Sequence, residues 1–130
     1  GIASGLGYGD NFQAVFVSNA IREMELFLDA VYPETRDVNE SAYLGDLLVT
    51  AYSLFSRNRN LGNLIGKGYT VKSAVQSMSM VAEGYYATRG IYEIAYEKKL
   101  KTPIINAIFS VLYEGKDAEK QFEKLTAKLN

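Results

Sequence analysis

The sequence predicts an all-α fold: one compact, multi-helix domain over residues 1–130, with about six to eight helices. Three observations lead there. Apolar residues recur at three- and four-residue steps over long windows, the spacing of one helix face. No segment alternates apolar and polar residues with the period of two that a half-buried strand requires. Residues that start or stop helices, among them Asp10, Pro33, Thr70, Pro103, Gly115 and Asp117, punctuate those windows.

The bulk properties agree with a globular domain and exclude several functions. A chain of 130 residues, 48% hydrophobic and 22% charged, can bury a core as a single domain. A formal net charge of −1 provides no general attraction to nucleic acid or to an anionic membrane. No apolar run approaches the roughly 20 residues of a membrane span. Cysteine and histidine are both absent, which excludes disulfides and thiol chemistry and removes the commonest general base and metal ligand. Proton transfer is left to Asp, Glu, Lys and Tyr, and no carboxylate cluster has metal-site spacing.

Taken in order, residues 1–9 hold four glycines, including the G-x-G of Gly5-Leu6-Gly7. A dinucleotide-binding loop follows a strand within a βαβ unit. Neither the preceding strand nor the βαβ pattern is visible, so these glycines predict a sharp turn or close helix packing. Asp10 is expected to cap a long helix, with Gln13 completing a capping box. Its apolar positions are Phe12, Val15, Phe16, Ala20, Met24, Phe27, Leu28 and Val31. Ser18, Asn19, Arg22, Glu23 and Glu25 fall outside that set and are expected to face water or a partner. Tyr32-Pro33 ends the helix, because proline disfavours helical geometry in the residue before it. The polar run 36–40 reads as a loop.

A helix follows from Asp46, then a second through Leu61, Leu64 and Ile65 with residues 56–60 at its amino end; Gly66-Lys67-Gly68 breaks it. Thr70 caps a helix through Val71, Ala74 and Val75, and residues 77–81 read as irregular or extended. Glu83 and Gly84 lead into a helix carrying Ala87, Ile91, Ile94 and Ala95. Thr102 and Pro103 start another, burying Ile104, Ile105, Ile108, Val111 and Leu112 before Gly115 stops it. Asp117 or Lys116 opens a last helix, whose narrow stripe of Ala118, Phe122, Leu125 and Leu129 packs along one side. Tyr8, Tyr85 and Tyr86 read as half-buried packing residues.

The chemistry is concentrated in residues 45–60, G-D-L-L-V-T-A-Y-S-L-F-S-R-N-R-N. Asp46 and Thr50 lie one helical turn apart on one face, amid apolar neighbours. A carboxylate on a largely buried helix needs a partner or a ligand. Ser56-Arg57-Asn58-Arg59 then offers a hydroxyl, two guanidinium forks and an amide at a helix amino end, a combination suited to phosphate. Each residue also has a plainer reading: Asp46 as a helix cap, Thr50 bonded back to its own helix, the arginines solvated.

This segment resembles the G-D-L-x-x-T helix and S-R-N-R turn of the NAD(P)-dependent glycerol-3-phosphate dehydrogenase family. Three further motifs in the same order extend the resemblance over nearly the whole chain. Residues 5–11, G-L-G-Y-G-D-N, are similar to the family's glycine-rich turn. Val81-Ala82-Glu83-Gly84 is similar to its V-x-E-G segment, and residues 112–116, L-Y-E-G-K, to its ending. Only the carboxy-terminal half of the enzyme is resembled. Residues 36–44 depart from the family pattern, with Ser41-Ala42-Tyr43-Leu44 standing where a G-L-A-G-type turn is usual.

The resemblance implies the helical fold of the 6-phosphogluconate dehydrogenase carboxy-terminal domain. It implies a cytoplasmic oxidoreductase that transfers a hydride between NAD(P)H and dihydroxyacetone phosphate, giving sn-glycerol 3-phosphate for phospholipid synthesis. Carried over by motif, Asp46, Thr50, Ser56, Arg57 and Asn58 would bind substrate, while Arg57, Val81 and Glu83 would contact the cofactor NAD(P). For Glu83 the plainer reading is a first-turn carboxylate favoured by the helix dipole. The family's proton-transfer lysine belongs to a K-N pair upstream of the glycine-rich turn, before Gly1. The dinucleotide-binding domain is likewise expected upstream, as the partner that completes the site, so the chain alone is expected to be inactive. A homodimer is one candidate assembly. The alternative is a helical module that keeps the scaffold and binds a phosphorylated ligand or a protein without catalysis.

Overall fold

The computed structural model describes residues 1–31 and 56–129, and among these it is built from helices without a strand. Seven follow in order: α1 (Ile2–Gly5), α2 (Asp10–Val31), α3 (Arg57–Gly66), α4 (Val71–Ser77), α5 (Glu83–Glu97), α6 (Pro103–Tyr113) and α7 (Ala118–Thr126). The expected end of the long helix, the loop at 36–40, the atypical segment 36–44 and the helix bearing Asp46 and Thr50 lie outside the described residues.

Three helix starts are set by their own sequence. Ser56, Thr70 and Asp117 each accept the N–H of the residue three positions on, at 3.2, 3.1 and 3.1 Å. Each satisfies one of the amides that a first turn leaves without an intrahelical partner. The start of α2 is displaced by one residue from the expected cap. Gln13 N–H bonds the Gly9 carbonyl, so Asp10 is the first helical residue, where its carboxylate faces the positive end of the helix dipole.

The glycine-rich start forms both a short helix and a turn. Gly1, the N-cap of α1, and Gly5 within it face Gly62 and Gly66 of α3, and the two backbones touch. A Cβ on Gly5 would lie 2.3 Å from the Asn63 carbonyl oxygen, and one on Gly66 would lie 2.3 Å from that of Ile2. Gly66 is the last residue of α3, which stops over Gly66-Lys67-Gly68 as expected, with Gly68 at φ +106°. The same Gly66 also admits the α1 backbone. Gly7, at φ +92°, makes the turn between α1 and α2. Around this seam Ile2, Ala3, Leu61, Ile65, Ala74, Val111, Leu112 and Phe122 form the main core. Tyr8 stacks on Phe12 at 4.2 Å, and Phe16 stacks on Phe122 at 5.6 Å, bringing α2 against α7.

Two helices bury a different face from the one expected. On α2, Val15 and Met24 are exposed while Ile21 is buried. Phe12, Phe16, Ala20 and Glu23 share one side of α2 at steps of four, four and three, so Glu23 points inward rather than to water. Its carboxylate accepts the N–H groups of Ile104 and Ile105, at 2.9 and 2.8 Å, and caps α6 from another helix. Thr102, expected to be that cap, is buried and donates its hydroxyl to Asn106 Oδ1 at 3.2 Å. On α5, Ala95 is buried as expected, but Ala87 and Ile94 are exposed and Thr88 is buried instead. Stacking decides this: Tyr92 lies flat on Phe109 of α6 at 3.7 Å, and Tyr85 meets Tyr113 at 4.9 Å. Turning α5 by that much places the Thr88 hydroxyl inside, where it donates to the Gly84 carbonyl at 2.6 Å. Tyr86, expected to be half-buried, is exposed.

Candidate functional site

The S-R-N-R turn and the segment 80–84 meet at the amino ends of α3 and α5. Ser56 is the N-cap of α3, and Arg57, Asn58 and Arg59 occupy its first turn. The N-cap position of α5 is Ala82, whose side chain has no acceptor. Asn58 supplies one from across the site: its Oδ1 accepts the Gly84 N–H at 2.8 Å. A Cβ on Gly84 would lie 2.9 Å from Asn58 Oδ1, so the glycine of the E-G pair leaves room for this bond.

Arg57 is exposed, and its Nη1 lies 3.4 Å from the Met80 sulfur. Val81, 51% exposed, follows Met80 on the same strip, and Glu83 is the exposed first residue of α5. Arg59 points elsewhere. It is half-buried and donates from Nη2 to the Ser4 hydroxyl at 3.3 Å, tying α3 to α1. The structure therefore gathers Ser56, Arg57, Asn58, Val81 and Glu83 at one edge and turns Arg59 away. Asp46 and Thr50 lie outside the described residues.

This edge offers a guanidinium fork without a carboxylate partner among the described residues, an oriented amide, a carboxylate at a helix amino end and exposed apolar surface. No group of three or more Asp or Glu residues able to hold a metal occurs among the described residues. A cavity of about 300 Å³ lies behind the edge, touched by Ser56, Asn58, Arg59 and Gly84. Its walls are core side chains such as Ile2, Phe16, Leu61 and Phe122, surroundings in which a phosphate would lose its water without compensation. The exposed edge, not this cavity, has the chemistry of a polar ligand site. Sequence reasoning missed Met80 and the Gly84 N–H. Proline, glycine and cap signals do not mark a methionine in a loop or an amide completed by a residue on another helix.

Residues 1–123 match a family profile described as the NAD-dependent glycerol-3-phosphate dehydrogenase C-terminus. The chain belongs to this family. Among curated relatives, the glycerol-3-phosphate dehydrogenase (NAD(P)+) of Bacillus pumilus is 37% identical over 129 residues, covering 99% of this chain and 37% of that protein. The same enzyme from Syntrophomonas wolfei is 38% identical over 125 residues, covering 96% and 36%. The chain thus spans a little over a third of the length of these relatives. The crystal structure of glycerol-3-phosphate dehydrogenase from Coxiella burnetii superposes with a TM-score of 0.90 at 27% identity, over 96% of this chain and 38% of that one. The helical domain described above is therefore the fold of this carboxy-terminal family. Among the described residues no helix is long and apolar enough to cross a membrane.

Proposed function

We propose that this domain is the substrate-binding part of an enzyme that moves a hydride between NAD(P)H and dihydroxyacetone phosphate, giving sn-glycerol 3-phosphate for glycerophospholipid synthesis. The observation that carries this reading is the Asn58–Gly84 bond, which joins the two motif segments into one edge. In this reading Arg57 receives an anionic oxygen pair on its planar fork. Asn58 has its Oδ1 committed to Gly84, which aims its Nδ2 hydrogens away from that bond and toward a ligand oxygen. Ser56 accepts the Arg59 N–H and keeps its own hydrogen to donate. Asp46 and Thr50 bind the substrate's hydroxyl end.

NAD(P)H supplies the hydride when bound. The residues present fit its neighbourhood: Val81 offers apolar surface, Glu83 an acceptor for a hydroxyl, and Arg57 a cation that can also reach the cofactor. An amino-terminal dinucleotide-binding domain would carry most of the cofactor contacts and the proton-transfer lysine. Met80, Val81 and Tyr86, exposed by 63%, 51% and 60%, form apolar surface that such a domain would cover.

The test is Arg57→Lys in the full-length enzyme, which keeps the charge and loses the bidentate fork. Loss of one or two charge-assisted hydrogen bonds, about 1.5–3 kcal/mol each, should lower kcat/KM at least tenfold. Arg59→Lys should cost much less, since Arg59 faces Ser4. Equal effects of the two would overturn the assignment of Arg57.

A further inference from the structure

We propose that Met80 is a positioning residue: its thioether holds the Arg57 guanidinium in place without neutralising it. The inference rests on the reading of Arg57 as the anion-binding group. Arg57 is the first residue of α3, exposed, with a long side chain free to sample many rotamers. Among the described residues its guanidinium makes one hydrogen bond, Nη1 to Met80 Sδ at 3.4 Å.

The chemistry of that contact suits the task. A carboxylate at position 80 would occupy the fork and cancel the charge an incoming anion needs. A thioether is a weak, uncharged acceptor that engages one N–H and leaves the remaining donors available. Met80 is anchored for this role, because its segment is pinned at both ends. Upstream, Met78 is half-buried against the main core and closes α4 through its N–H to the Val75 carbonyl. Downstream, Ala82 is buried and the Gly84 N–H is held by Asn58, the neighbour of Arg57. The loop between them carries Met80 past the guanidinium, 23 residues away in sequence.

The test is a double-mutant cycle on the full-length enzyme, reading KM for dihydroxyacetone phosphate separately from kcat. Met80→Leu keeps the apolar volume and removes the acceptor; it should raise KM about three- to tenfold and leave kcat within about twofold. Met80→Gln restores a neutral acceptor on an unbranched side chain and should return KM to within about twofold of the parent. Met80→Glu should raise KM more than Met80→Leu does. In an Arg57→Ala background, Met80→Leu should change nothing further. The inference is overturned if Met80→Leu leaves KM unchanged, if Met80→Gln fails to rescue it, or if the effect persists without Arg57. If Arg57→Ala itself leaves KM and kcat at parent values, the reading of the site fails, and the inference with it. A loss with Arg57→Ala but no coupling to Met80 removes the inference alone. Met80 is exposed, so unchanged melting temperatures across the set should separate these effects from folding.

Discussion

Helix α3 takes part in two contacts of opposite character. Along one face, Gly62 and Gly66 press against Gly5 of α1 and its N-cap Gly1, backbone against backbone, with no room for a methyl group. At its amino end, Ser56, Arg57 and Asn58 meet Met80 and Gly84 through side chains, in solvent. The seam is mostly backbone against backbone, with the Arg59–Ser4 hydrogen bond beside it, and the edge carries little core. The same short helix is thereby held rigidly on one side so that its first turn can present polar groups on another. A site built on a rigid helix end keeps its geometry better than one on a free loop.

The largest effect should come from breaking the seam. Gly66→Ala gains about 1 kcal/mol of helix propensity, yet its Cβ would sit 2.3 Å from a backbone oxygen that cannot move aside. We expect a net loss of about 3 kcal/mol, measured as a fall in the denaturant midpoint, because overpacking here must separate two helices. An unchanged midpoint would mean that α1 and α3 are not in contact.

Next in size is the joint between α2 and α6. Glu23→Ala strips two first-turn amides of their acceptor and should cost about 1–2 kcal/mol by chemical denaturation. The carboxyl also gives the domain a pH signature. Burial, set against the two backbone N–H bonds, raises the Glu23 carboxyl above its ordinary value of 4.5. The unfolded chain then ionises more readily than the folded one, so this contribution is complete below 4.5 and is lost as pH rises through the higher folded value. Stability followed against pH should fall across that window, and Glu23→Gln should flatten the fall.

Smaller still is the Asn58–Gly84 bond. Asn58→Ala and Gly84→Ala should each cost about 1 kcal/mol, since the Cβ on Gly84 meets only a movable side chain. The double variant should cost clearly less than their sum, because both remove one interaction. Additive losses would show that the two segments are held together by something else. The smallest effect on stability belongs to Arg57→Lys, expected within about 0.5 kcal/mol of the parent by thermal melt. Paired with the loss of kcat/KM proposed above, that result would complete the contrast: the seam sets stability and the edge sets function.

The all-helical class, the order of the helices and the starts at Thr70 and Asp117 were legible because they are local, and Ser56 was legible as part of a helix amino end over residues 56–60. A cap acts over three residues and a helix face repeats every three or four, so a linear reading contains both partners. The motif residues Arg57, Asn58, Val81 and Glu83 were legible as types and spacings, and close approach by the glycines was legible as one of two uses. Only the tertiary structure decided the rest. Glu23 caps an amide 81 residues away, Asn58 one 26 away, and Arg57 reaches a sulfur 23 away. The facing of Gly66 on Ile2 was hidden as well, since a glycine that ends a helix and one that admits a neighbouring backbone look alike in sequence. Periodicity describes which side of a helix is apolar; which neighbour that side meets depends on how the helices are placed, and that is set by the sum of contacts distant in the chain.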